Sequence, residues 1–267
     1  MTPSICRSGA CSRVRPLESD KIARPKAADP TQMKTIPRAE RLILALDVAS
    51  AEEAKSLVQR LGGSVNFYKL GLELFMADGV FGLIDWLSRE RKKVFVDLKF
   101  FDIPETVRAA VRGLRKRSVT FTTVHGNQAM LEAAVEEKGN VKILAVTALT
   151  SLDQGDLDDL GFQCDIQRLV LSRARRALEA GCDGVVSSGL EAPALRRELG
   201  ERLLVVTPGV RPVHNRPADD QKRTVDVAQA FANGADYIVV GRPIRQAPDP
   251  RAAAQAIQAT IEKVFSS

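Results

Sequence analysis

Residues 94–106 read Val94-Phe-Val-Asp-Leu-Lys-Phe-Phe-Asp-Ile-Pro-Glu-Thr106. Val94, Phe95 and Val96 are β-formers in an unbroken apolar run, the pattern of a strand buried on both faces within a parallel sheet. Pro104 disfavours helix at Ile103 and suits a first helical turn, so a loop is expected between this strand and a helix that follows. Asp97, Lys99 and Asp102 then gather at the carboxyl end of the strand. Asp97 and Lys99 are two apart, so their side chains leave on the same side if extended backbone continues through them. Alone, this D-x-K pair is weak evidence, because charges beyond a strand end are often solvated. The surrounding chain decides its meaning.

From residue 41 onward, short apolar runs alternate with amphipathic stretches. Strands are predicted over residues 42–46, 65–69, 94–96, 121–124, 143–146, 184–187, 203–206 and 237–240. Between them lie helical patterns, among them 51–61 opened by Ser50, 165–180 closed by Gly181, and 225–232 closed by Asn233-Gly234. Eight strands, each followed by a helical stretch, predict an α/β fold of the (β/α)8 (TIM) barrel type in a single domain, residues 41–267. A doubly wound open sheet is the runner-up, but no G-x-G-x-x-G follows the first strand.

Bulk properties narrow the function classes. The chain has 267 residues, 45% hydrophobic and 27% charged, an ordinary mixture for a soluble globule. No apolar run approaches the roughly 18 residues that a membrane span needs. Cys6, Cys11, Cys164 and Cys182 have neither metal-ligand spacing nor the density of a disulfide framework, which points to a reducing, cytoplasmic setting. Residues 1–40 hold eight Lys/Arg against four Asp/Glu, and so +4 of the net charge of +6. Prolines 3, 16, 25, 30 and 37 and the weak apolar periodicity predict a basic, disordered extension. No aromatics interleave its charges, so a solvated arm is expected in place of a segment that binds nucleic acid or lipid. It lacks the apolar core of a secretory signal, and its acids and prolines argue against a transit peptide. Met33 is an alternative start.

In a barrel of this kind the βα loops build the active face, so functional residues are sought where strands end. Those ends supply Asp47, Lys69, Asp97 with Lys99, His125, Thr147 with Leu149-Thr150-Ser151, Ser187-Ser188-Gly189, Pro208-Gly-Val-Arg211 and Gly241-Arg242-Pro243. Arginine grips two phosphate oxygens at once, and a glycine lets backbone approach closely. Arg211, Gly241 and Arg242, on the last two loops, therefore read as a phosphate clamp, with Gln221 in the long loop between as a candidate lid residue. Lys69, Asp97, Lys99 and Asp102 alternate in sign and, if they converge, hold one another charged. Such an array suits a reaction that develops negative charge on carbon and then needs a proton; the competing reading is a structural ion-pair network. His125 has no His or Cys at metal spacing, so no metal site is expected. It reads equally as a ligand contact or a supporting histidine, and His214 as a solvated loop residue. Asp47 has the reach to hydrogen-bond a sugar hydroxyl, and Ser50 fits the helix cap better than Asp47 does.

With these residues assembled, the chain resembles the orotidine 5′-phosphate decarboxylase family over residues 41–265. The likeness rests on Leu44-Ala-Leu-Asp47, Tyr68-Lys-Leu-Gly71, Asp97-x-Lys99-x-x-Asp102-Ile-Pro-x-Thr106, Leu149-Thr-Ser151, Pro208-Gly-Val-Arg-Pro212 and Val240-Gly-Arg-Pro243. The resemblance implies a barrel that works as a homodimer without a cofactor, in the last step of UMP synthesis. It implies that Lys99 donates the proton to C6 as CO2 leaves, with Lys69 and Asp97 completing the array. Asp102, Ile103 and Thr106 would serve substrate binding, Asp102 and Thr106 across the dimer interface at the ribose. Asp47 would bind ribose hydroxyls, and Thr150 and Ser151 would lie by the pyrimidine. Pro208, Arg211, Gln221, Gly241 and Arg242 would hold the phosphate side. The chain departs from the pattern after His125, where Gly126-Asn-Gln-Ala-Met stands in place of a glycine pair further along, and in its N-terminal extension. The nearest rival on the same barrel is a Mg2+-dependent sugar-phosphate enzyme, which would call for an acid where this chain has Lys69.

Overall fold

A computed structural model describes residues 34–125, 127–211 and 224–266. The expected disorder of residues 1–33, the alternative start at Met33, and the loop residues His214 and Gln221 lie outside the described residues. Eight parallel strands close into a barrel in chain order: β1 Leu42–Ala45, β2 Phe67–Leu70, β3 Lys93–Phe100, β4 Phe121–His125, β5 Lys142–Val146, β6 Gly184–Val186, β7 Leu204–Thr207 and β8 Tyr237–Val240. β8 pairs back onto β1, Leu42 against Ile238, which closes the ring.

Alternation along the strands explains how the barrel both fills its core and builds a site. Ile43, Phe67, Phe95, Phe121, Tyr237 and Val239 belong to one interior cluster, while Tyr68, Val94 and Val96 pack outward under the helices. The Phe121 ring meets Phe67 at 5.0 Å, Tyr237 at 5.2 Å and Phe95 at 5.9 Å between centroids. This aromatic plug is the floor on which the polar mouth stands; burying each such ring stabilises by roughly 1.5–3 kcal/mol. Two residues further along the same faces come Lys69, Asp97 and Thr123, so period two delivers them to the carboxyl end of the interior.

β3 is longer than expected. Where a strand over 94–96 and then a loop were predicted, the strand runs on to Phe100, with a register shift against β4: Val96 pairs with Thr122 and Phe100 with Val124. Four steps on β3 thus face two on β4, a bulge that throws the Asp97–Lys99 backbone toward the barrel mouth. Lys99 takes a left-handed conformation, φ 49°, which is strained for a side chain of that size.

The helices follow their end signals. α1 Ala51–Leu61 is capped by the Ser50 side chain, which accepts from Glu53 N. Between β2 and β3 come α2 Leu72–Phe75 and α3 Val80–Arg89. α4 Pro104–Arg115 begins with its proline in the first turn, and α5 Gln128–Glu137 follows β4. After β5 come α6 Gln154–Asp159 and α7 Ile166–Glu179, the latter capped by Asp165. α8 Ala192–Leu199, α9 Val227–Ala232, α10 Arg242–Arg245 and α11 Pro250–Phe265 complete the ring. Residues 34–40, expected within the extension, dock on the barrel: Lys34 Nζ lies 2.8 Å from Asp236 Oδ2 and donates to Leu203 O at 2.6 Å.

Candidate active site

A cavity of about 220 Å3 opens at the carboxyl ends of the strands. Phe95 and Val239 give it an apolar base; Asp47, Lys69, Asp97 and Lys99 line it from the ends of β1, β2 and β3, and Pro208, Arg211, Gly241 and Arg242 from the ends of β7 and β8. Residues from β1, β2, β3, β7 and β8 therefore converge from five separate points in the chain, as the strand-end reading required.

Asp97 is the centre of the charged wall. It is 8% exposed, and its Oδ2 lies 3.0 Å from Lys99 Nζ and 3.5 Å from Lys69 Nζ. Its Oδ1 accepts from the Thr123 hydroxyl at 2.9 Å. Burial pushes the Asp97 carboxyl toward its neutral form, but Lys69, Lys99 and the Thr123 hydroxyl outweigh burial and hold it below the ordinary carboxylate range. Lys69 also reaches Asp47 Oδ1 at 3.3 Å, so the chain of alternating charge runs Asp47–Lys69–Asp97–Lys99. The Lys69 side chain is 13% exposed and that of Lys99 34%, so Lys99 is the more open of the two.

Lys99 is left-handed, so the extended backbone expected to set it on the same side as Asp97 is not present. The bulge, and not an unbroken extended strand, brings the two together. Lys99 N donates to Thr123 Oγ1 at 2.9 Å, which fixes the unusual backbone.

On the wall built by the loops after β7 and β8, Gly209 has φ 74°, a turn geometry that favours glycine. Arg211 is 7% exposed, and its backbone N–H donates to Val225 O at 3.0 Å, across the bridge between Val210 and Val225. Gly241 stands at the N-cap of α10 with φ −117°. A Cβ there would point at Ala45 and Asp47 at ordinary contact distance, so what the missing side chain leaves clear is the cavity mouth. Two guanidinium groups on this wall suit a phosphate dianion.

The other expected site residues divide. Thr150 lines the cavity with Leu149. Ser151 is exposed and outside it, because the chain turns away into α6. Asp102, Ile103 and Thr106 also lie outside and are exposed; Asp102 Oδ1 accepts from Ile103 N at 2.7 Å. Asp102 and Ile103 stand on the loop after β3 and Thr106 in the first turn of α4, where Phe101 and Ile103 are each 66% exposed. His125 does not line the cavity. Burial, then Arg173 and Lys99, push its imidazole below its ordinary range, and its Nδ1 is buried with no hydrogen-bond partner among the described residues. Among the described residues no group of three His, Cys, Asp or Glu side chains is arranged to hold a metal. Thr123 does not line the cavity but bonds both Asp97 and Lys99, and no motif in the sequence singles it out. Counting by twos from the inward-facing Phe121 was the signal that could have found it.

Fold and site together define a (β/α)8-barrel protein whose one cavity is lined by both a Lys/Asp charge array and a pair of arginines. The family model described as orotidine 5′-phosphate decarboxylase / HUMPS matches residues 40–257. The chain is 68% identical over 234 residues to the orotidine 5′-phosphate decarboxylase of Methylococcus capsulatus, covering 88% of this chain and 97% of that protein. It is 52% identical over 224 residues to the enzyme of the same name from Xanthomonas euvesicatoria, covering 83% and 92%. The solved orotidine 5′-phosphate decarboxylase of Lactobacillus acidophilus superimposes with a TM-score of 0.74 at 36% identity, over 83% of this chain and 99% of that one. This chain belongs to the orotidine 5′-phosphate decarboxylase family.

Proposed function

We propose that this chain converts orotidine 5′-phosphate to UMP and CO2 in the last step of pyrimidine nucleotide synthesis, in the cytoplasm, using its own side chains and no cofactor. The observation that carries this reading is the single Asp97 oxygen shared by two ammoniums, 3.0 Å and 3.5 Å away, in a cavity that Arg211 and Arg242 also line. Loss of CO2 from C6 leaves an electron pair on a vinylic carbon with no conjugated sink. Stabilisation must come from fixed charge already in place. Lys99, the more open of the two ammoniums, faces that carbon and donates the proton as the C–C bond breaks. Lys69, held between Asp47 and Asp97, keeps the array in register. Arg211 and Arg242, with Pro208 and Gly241, hold the phosphate; Thr150 lies by the base, and Asp47 reaches a ribose hydroxyl. Binding of the remote phosphate can be used to order the reacting centre.

The same reading makes the protein a homodimer in which Asp102 and Thr106 enter the neighbouring site, with Ile103 beside them. Their place outside the cavity of their own chain supports this, as do the exposed Phe101 and Ile103 on either side of Asp102. Among the described residues no helix is long and apolar enough to cross a membrane.

The test is loss of orotidine 5′-phosphate absorbance with wild type and Lys99→Ala, with and without EDTA. Wild type should turn over in both conditions, and Lys99→Ala should fall by at least ~10²-fold, the scale of a lost general acid. Near wild-type turnover by Lys99→Ala removes the proton-donor role, and loss of activity in EDTA removes the metal-free reading.

A further inference from the structure

The two adjacent threonines of β4 are used differently. Thr122 faces the helices, and its hydroxyl donates to Val96 O at 3.0 Å, the ordinary fate of a buried threonine. Thr123 faces the barrel mouth, is 0% exposed, and bonds both ends of the bulge on β3. Its Oγ1 accepts the Lys99 amide at 2.9 Å and donates to Asp97 Oδ1 at 2.9 Å. The direction of both bonds follows from the chemistry. An amide N–H can only donate and an ionised carboxylate can only accept, so the one hydroxyl proton goes to Asp97.

We infer that Thr123 is a positioning residue for the charge array: its hydroxyl pins Oδ1 of Asp97 and the strained backbone of Lys99 in one stroke, leaving Oδ2 to the two lysines. The inference rests on the decarboxylase reading for its kinetic arm only. With Oδ1 occupied, the carboxylate cannot rotate to give one oxygen to each lysine. With the Lys99 amide anchored, a left-handed lysine has no route back to relaxed extended backbone. The β-branch of threonine adds stiffness at χ1, so the hydroxyl does not swing away. Valine at this position keeps the shape and removes both bonds; serine keeps both bonds and loses a methyl.

Steady-state decarboxylation by Thr123→Val, Thr123→Ser and the control Thr122→Val tests the proposal. Expected for Thr123→Val is a fall in kcat of ~10²-fold, the scale of a misplaced reacting group, with KM changed by less than ~3-fold because the phosphate wall is untouched. Thr123→Ser should stay within ~5-fold of wild type, since its hydroxyl can make both bonds. Thr122→Val, which removes a hydroxyl bond from the same strand, should move thermal stability and leave kcat near wild type. A Thr123→Val enzyme with wild-type kcat overturns the proposal, as does a serine variant as impaired as the valine one. If Thr123→Val does not fold, Thr123→Ala takes its place, and equal kcat for the alanine and serine variants is then the overturning result.

Amide hydrogen exchange at Lys99 gives a readout independent of turnover. Its protection should fall by ~10-fold or more without the Thr123 hydroxyl, while the Phe95 amide stays protected. Unchanged protection at Lys99 overturns the clamp. A wild-type protein that fails to decarboxylate orotidine 5′-phosphate, yet shows this exchange pattern, removes the substrate assignment and leaves the clamp standing.

Discussion

The Asp97 carboxylate accepts from a hydroxyl on one oxygen and faces two ammoniums on the other, so small displacements of any partner are transmitted to the rest. Gly71 shows how tightly the surroundings are drawn. A Cβ at this position would stand 3.1 Å from Lys69 Nζ and 3.3 Å from Asp47 Oδ1. The backbone there is φ −97°, comfortable for alanine, so the substitution is not resisted by strain. It acts instead by pushing the Lys69 ammonium off its carboxylates. Gly71→Ala should therefore lower kcat/KM by ~10-fold while leaving unfolding free energy within ~1 kcal/mol of wild type, measured by steady-state kinetics and urea titration. A wild-type kcat/KM in a folded Gly71→Ala protein would show that Lys69 has slack its geometry does not suggest. The charged members of this array were legible in the sequence, because Lys69, Asp97 and Lys99 are expensive to bury and stand at or just beyond the end of an apolar run. Thr123 was not, because threonine is common in strands for reasons of packing alone.

Elements were legible where their ends carry chemistry. Ser50, Gly181 and Asn233-Gly234 each mark a helix terminus in the sequence and do so in the fold, Gly181 with φ 85° and Gly234 with φ 101°. The bulge in β3 had no such marker. Lysine is not a residue that announces a left-handed turn, and Leu98 between two charges reads as ordinary alternation; only pairing with β4 reveals two extra residues. Placement of the active face thus followed from strand order, but the way Lys99 reaches Asp97 did not. Gly181 offers a check on the element scale. It closes α7, and a Cβ there would sit 3.3 Å from Val135 Cγ1 on α5. Gly181→Ala should destabilise by ~1–2 kcal/mol through the left-handed penalty, with kcat unaltered because α7 closes at the amino-terminal end of β6, away from the cavity. Equal denaturation midpoints for the two proteins would contradict the assigned helix end.

At the scale of the whole molecule, the stretch that begins with Val94 faces two ways. Asp97 and Lys99 line the cavity of their own chain, while Asp102 and Thr106, three and seven residues beyond Lys99, stand on the outer surface between exposed apolar side chains. Phe101 packs edge-on against His125 at 5.4 Å, yet it and Ile103 each remain 66% accessible on either side of an acid. A second copy docking on this face would cover them and carry Asp102 toward the neighbouring ribose. A two-fold interface would exchange the same residues in both directions. If that division holds, Lys99→Ala and Asp102→Ala damage different sites in a mixed dimer. The site with its own Lys99 intact would receive Asp102 from the Lys99→Ala chain and be complete. The other site would carry both lesions. Equimolar mixing with full subunit exchange puts half of the chains in mixed dimers, each with one complete site of two, so about a quarter of wild-type turnover should return from two nearly inactive proteins. Size-exclusion chromatography with light scattering would establish the dimer independently. Turnover in the mixture equal to the mean of the two parents, in a protein that does exchange subunits, would place Asp102 at its own chain's site or outside catalysis altogether.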